Sequence, residues 1–111
     1  MADRLHASLD ASATLLGGAW QVRGTPAGTV RSPTDLEASE GAWIACTCPT
    51  TAAAALRDAG HWSLDGEPRD FDAEDWWFET RFECEGPASG ETVALRFAGL
   101  ATLTAVWLNG V

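Results

Sequence analysis

Two kinds of side chain in this sequence are equipped for chemistry, acids and thiols. Residues 65–91 hold ten carboxylates: Asp65, Glu67, Asp70, Asp72, Glu74, Asp75, Glu79, Glu83, Glu85 and Glu91. Two carboxylates about 5 Å apart would suit hydrolysis of a glycosidic bond with retention. Density alone does not make such a pair, because a run of acids is ordinarily a solvated face. The segment from Asp70 to Asp75 looks like the start of a calcium loop. It fails that test: its sixth position is Asp75 where the turn needs Gly, and its twelfth is Arg81 where Glu must chelate. Cys46 and Cys48 fall on one face of a strand by period 2. With Cys84 and His61 they number four, the zinc count, but the spacing is not that of a zinc site. They read as small core thiols, and no metal or cofactor is expected.

These groups sit in a chain of 111 residues, one domain's worth at most. A hydrophobic content of 46% is a globular value and excludes a disordered tail. The 16 acids outnumber 7 Arg, with no Lys, for a net charge of -9. Such a surface repels phosphate backbones and anionic bilayers, so neither nucleic acid nor membrane is an expected partner. No apolar run reaches the length of a membrane span, and residues 1–6 lack the pattern of a secretory signal. Three cysteines are an odd set, read as reduced thiols, and the expected compartment is the cytoplasm.

The elements that must position the chemistry are mostly strands. Residues 1–18 read as an irregular lead-in, and residues 19–111 as the structured part. Residues 19–23 alternate as a strand, ended by the turn chemistry of 24–28. Residues 28–41 are polar, hold Pro33 and Gly41, and read as a loop. Residues 42–47 are strand-like. Thr50 or Thr51 then caps one short helix over 52–59, with Gly60 placed for a left-handed C-terminal residue. Residues 61–75 show no period, and Trp62, Leu64 and Phe71 are the side chains expected to anchor them.

From Trp76 the even positions are Trp76, Phe78, Thr80, Phe82 and Cys84, and the odd ones are Trp77, Glu79, Arg81, Glu83 and Glu85. That is a strand with one apolar and one charged face. Val93, Leu95 and Phe97 alternate as a second half-buried strand. Residues 103–108 are apolar on both parities, as in a strand covered on both faces. Asn109-Gly110 signals a two-residue hairpin turn, whose second arm would lie beyond Val111. Among the six tryptophans, Trp76 and Trp107 fit core faces. Trp77 falls on the charged face beside Glu74 and Asp75. A ring there can stack on the C–H face of a sugar while the acids accept hydroxyl hydrogen bonds. The competing reading is that Trp77 packs against a neighbouring domain.

Three blocks carry a family resemblance. They are Asp72-Ala73-Glu74-Asp75-Trp76-Trp77-Phe78-Glu79-Thr80-Arg81-Phe82, then Val93-Ala94-Leu95-Arg96-Phe97-Ala98-Gly99-Leu100, then Ala105-Val106-Trp107-Leu108-Asn109-Gly110. In this order the sequence resembles the N-terminal sugar-binding domain of glycoside hydrolase family 2, in its β-mannosidase and exo-β-glucosaminidase branch. Trp20 with Val22 resembles the family's opening strand. Cys48-Pro49-Thr50-Thr51 stands where the family has Val-Pro-Gly-Thr, with Thr50 in place of Gly.

The resemblance implies an all-β fold, a galactose-binding-like jelly-roll β-sandwich, incomplete at the C-terminus. It implies a carbohydrate partner and downstream immunoglobulin-like and TIM-barrel domains, with the two catalytic glutamates on the barrel. This chain would then hold no catalytic residue, and Trp77, Glu74 and Asp75 are its candidate substrate-binding residues. The expected function is that of a non-catalytic domain in a glycosidase acting on β-linked sugars. The alternative is a free-standing carbohydrate-binding or protein-interaction module.

Overall fold

The computed structural model describes residues 14–101 and 103–111; the lead-in expected over 1–18 lies mostly outside them. Three antiparallel strands form the sheet: β1, Gly18–Pro26; β2, Ile44–Cys48; and β3, Glu74–Glu79. Their spatial order is β2-β1-β3, so the first strand is the central one. Val22 stands opposite Ile44 on one side and Phe78 on the other.

Period 2 along β1 sends alternate side chains to two faces, and each face acquires its own cover. On the even face, Val22 is fully buried against Ala55 and Leu56 of a helix, α2, Ala52–Asp58. Ile44, Cys46, Trp62, Phe71 and Trp76 pack around that cluster. Burying a Val and a Leu outright stabilises by roughly 1.5–3 kcal/mol each, so this small core leans on its aromatic surround. On the odd face, Arg23 and Thr25 are buried, Arg23 against Leu36, Ser39 and Glu40, and Val30 and Leu36 are buried as well.

Thr51 is the cap of α2; its hydroxyl accepts from the Ala54 N–H at 3.1 Å. Gly60 follows with φ +79°, the left-handed value expected of it. The expectation of a single helix is corrected. Residues 28–41, read as loop, contain a second helix, α1, Pro33–Ala38. Ser32 caps it by accepting from the Asp35 N–H at 3.2 Å, and Pro33 sits in its first turn, where a missing N–H costs nothing. Pro33 is a helix starter here rather than a breaker.

The later strands are corrected as well. β3 ends at Glu79, short of the alternation that runs on to Cys84. Thr80 turns its hydroxyl to the Ala19 carbonyl at 2.9 Å, a side-chain bond at the place where the ladder stops. Residues 93–97 and 103–108 carry no ladder pairing among the described residues, and their apolar side chains face solvent. Trp107, expected in the core, is 40% exposed, and Val106 and Leu108 are about half exposed, so 106–108 is covered on neither parity. Alternation marks a strand that has a layer to lie on, and none lies over these residues. The Asn109-Gly110 turn does form. Both residues have positive φ, 53° and 83°, and the Leu108 and Val111 backbones exchange hydrogen bonds at 3.0 and 3.1 Å.

Candidate functional site

The sequence-predicted residues meet where β1 ends and β3 begins. Glu74 and Asp75 open β3 opposite Pro26 and Thr25. Consecutive strand residues point to opposite faces. The structure therefore splits the trio: Asp75 and Trp77 share the odd face, and Glu74 lies with Trp76 on the even face.

Each of the three is held by a specific partner. The Asp75 carboxylate accepts from the Gly28 N–H at 2.9 Å and ties down the turn after β1. The Trp77 indole N–H donates to the Thr25 hydroxyl at 3.1 Å. Trp77 is half-buried, not free on a charged surface, and stands opposite the buried Arg23 on β1. Asp75 remains exposed beside it. Glu74 takes a two-pronged ion pair from Arg69, Nε to Oε2 and Nη2 to Oε1, both at 3.0 Å. That geometry gives direction to a pair that solvent would otherwise weaken.

Arg69 and an aromatic stack complete the even-face corner. The guanidinium lies 5.2 Å from the Trp76 ring centre and 5.8 Å from that of Phe71. Trp76 donates its indole N–H to the Phe71 carbonyl at 3.1 Å, and Trp62 meets Phe71 edge-on at 5.3 Å. The aperiodic stretch 61–75 is thus anchored by Trp62 and Phe71, as expected, while Leu64 is exposed and anchors nothing. A short 3₁₀ turn, Phe71–Ala73, capped by the Asp70 carboxylate, delivers the chain into β3. Gly24 makes the stack possible. A Cβ there would come within 2.9 Å of the Trp76 ring and 2.8 Å of Glu74.

Reading the sequence missed Arg23. It is 4% exposed and carries its charge into the odd face without a carboxylate among its hydrogen-bond partners. It donates to the Leu36 carbonyl at 3.1 Å and to the Ser39 hydroxyl and the Glu40 carbonyl at 2.6 Å each. Its Nε is buried with no partner. The guanidinium also sits 6.0 Å from the Trp43 ring centre. Arg23 fastens Leu36, Ser39 and Glu40 to the face that holds Trp77. An arginine inside an alternating strand was the available signal, since the even-face partner Val22 sets its parity.

The thiols are placed elsewhere, on β2. Cys46 and Cys48 are half-buried, and burial pushes both upward from the ordinary thiol pKa. Cys84 is exposed. Among the described residues no three His, Cys, Asp or Glu side chains converge on a common point. No helix among them is long and apolar enough to cross a membrane.

The sheet thus ends in a corner of aromatic rings and carboxylates, each held by a partner within the chain. The chain belongs to the glycosyl hydrolase 2 galactose-binding domain-like family, whose model matches residues 20–111. No curated protein and no solved structure matches it.

Proposed function

We propose that this chain is the N-terminal, non-catalytic domain of a β-mannosidase-like glycosidase working in the cytoplasm. In this reading its three-stranded sheet is one part of a jelly-roll sandwich. Immunoglobulin-like and TIM-barrel domains follow in the parent protein, and the barrel supplies the two glutamates that cleave the β-linked sugar. The domain docks against the barrel and shapes one wall of the sugar pocket. Asp75 and Trp77 contribute a carboxylate and a ring edge from one face. Glu74 contributes through the corner that it shares with Arg69.

The observation that carries the reading is the family match over residues 20–111. The exposed apolar side chains of Phe82, Val93, Leu95 and Phe97 support it, because a docking surface is where such groups are tolerated. The coding sequence past Val111 provides the first test. An open frame encoding a barrel with two glutamates is expected, and a stop codon there would overturn the proposal. Calorimetry then separates a pocket wall from an autonomous binding module. The isolated chain is expected to bind mannosides, glucosaminides and galactosides no better than weakly. Millimolar or tighter binding that disappears in Trp77→Ala would assign it as a free-standing carbohydrate module instead.

A further inference from the structure

The outer edge of β2 is used by none of this. Among the described residues β2 pairs only with β1, so the outward-pointing backbone groups on its other side have no ladder partner. Sheet edges are ordinarily blunted by charge or proline. The five residues of β2, Ile44–Cys48, include neither. Residues 42–56 are in fact uncharged throughout, in a chain of net charge -9. Beside this edge a cavity of about 300 Å³ opens between β2 and α2. Cys46 and Thr47 line it from the strand, and Ala55, Asp58 and Ala59 from the helix and its C-terminal cap. Small side chains make the walls, and Asp58 brings the one charge to its lining.

We propose that the β2 edge takes an extended peptide as an added strand, with a lysine or arginine of that peptide seated in the cavity. Main-chain hydrogen bonds along an open edge hold a strand of any sequence, and a pocket beside the edge selects among side chains. A long basic side chain fits this pocket in both its parts. Its methylene stem lies along Ala55 and Ala59, and its charged head reaches Asp58. The Asp58 carboxylate has an ion pair with its chain neighbour Arg57 at 3.1 Å, and both side chains are well exposed. Such a pair is weak, which leaves the carboxylate able to take a second cation. An acidic side chain at the same position meets Asp58 and the negative field of the whole chain. β1 lies between β2 and the strand that carries Glu74, Asp75 and Trp77, so an added strand leaves those residues free.

The test titrates the 111-residue chain into a labelled peptide, Thr-Val-Thr-Lys-Thr-Val-Thr, and follows fluorescence anisotropy. The same peptide with Glu in place of Lys is expected to bind about tenfold more weakly, and one methylated on alternate backbone nitrogens to lose binding. Asp58→Asn changes one exposed carboxylate and is expected to erase most of the preference for Lys over Glu. Hydrogen exchange read by mass spectrometry locates the peptide. Amides of 44–48 are expected to gain protection when the Lys peptide is present. Absence of binding, equal binding of the Lys and Glu peptides, or an undiminished Lys preference in Asp58→Asn would overturn the proposal. Protection at 93–97 or 103–108 in place of 44–48 would do the same. Self-association that protects 44–48 without any peptide would assign the edge to a second copy of the chain instead.

Discussion

Arg23 shows how much one side chain decides at the residue scale. Three charge-assisted hydrogen bonds converge on it from the Leu36 and Glu40 carbonyls and the Ser39 hydroxyl. Arg23→Ala removes all three and leaves polar groups of the 28–43 segment unpaired. A loss of about 2–4 kcal/mol is expected in urea unfolding, with Trp43 fluorescence shifting as the segment loosens. Gly24→Ala acts on the other face by driving a methyl into the Trp76 ring. The expected result is a comparable destabilisation and a changed near-ultraviolet signal, since Trp76 cannot keep its place on Phe71. The two thiols on β2 link stability to pH. Cys46 and Cys48 have raised pKa values through burial, so the folded chain holds their protons more tightly than the unfolded chain does. Their contribution to stability is present at neutral pH and falls as pH climbs through the ordinary thiol range toward the folded-state values. Iodoacetamide at neutral pH is expected to label Cys84 first, because it is exposed while Cys46 and Cys48 are half-buried. Mass spectrometry of timed digests checks the order, and simultaneous labelling of all three would contradict the packing of β2.

At the scale of elements, the two helices mark what the sequence makes legible and what it hides. α2 announces itself through Thr51, four consecutive alanines and Gly60, each a local signal with a local cause. α1 has no apolar stripe; Leu36 is its one buried side chain. Its start is written only in Ser32-Pro33, which reads equally well as a turn. Helices of six and seven residues do not stand alone in water. Both are expected to depend on their caps. Ser32→Ala and Thr51→Ala should each cost about 1 kcal/mol, measured by chemical denaturation. β3 was legible in kind and not in length, because period 2 shows which face a residue would take and not whether a partner strand exists. The candidate site was legible in part for the same reason. Alternation put Trp77 on the charged face, but treating Glu74 and Asp75 as one group overlooked that neighbours on a strand take opposite faces. Nothing in a one-dimensional pattern revealed that Leu36, Ser39 and Glu40 bind Arg23 on the odd face, or that Arg69 clasps Glu74 across five residues of aperiodic chain.

Across the whole molecule, order is unevenly distributed. Residues 18–79 hold all three strands, both helices and every buried side chain among the described residues. Residues 81–101 and 103–111 are exposed throughout, yet they carry Phe82, Val93, Leu95, Phe97, Val106, Trp107 and Leu108. The Asn109-Gly110 turn is formed without a sheet to serve. Apolar alternation with no cover is the signature of a surface meant to be paired or packed. The isolated chain is accordingly expected to be sparingly soluble and to bind a hydrophobic dye such as ANS. A single sharp melt with no dye binding would contradict that reading.

Amide hydrogen exchange shows whether residues 93–97 and 103–108 wait for a covering layer, by comparing this chain with one extended by the domains proposed to follow it. Slow exchange in β1, β2 and β3 is predicted for both, with residues 93–97 and 103–108 open in the short chain and protected in the extended one. Equal protection of 93–97 and 103–108 in the short chain alone would contradict the account.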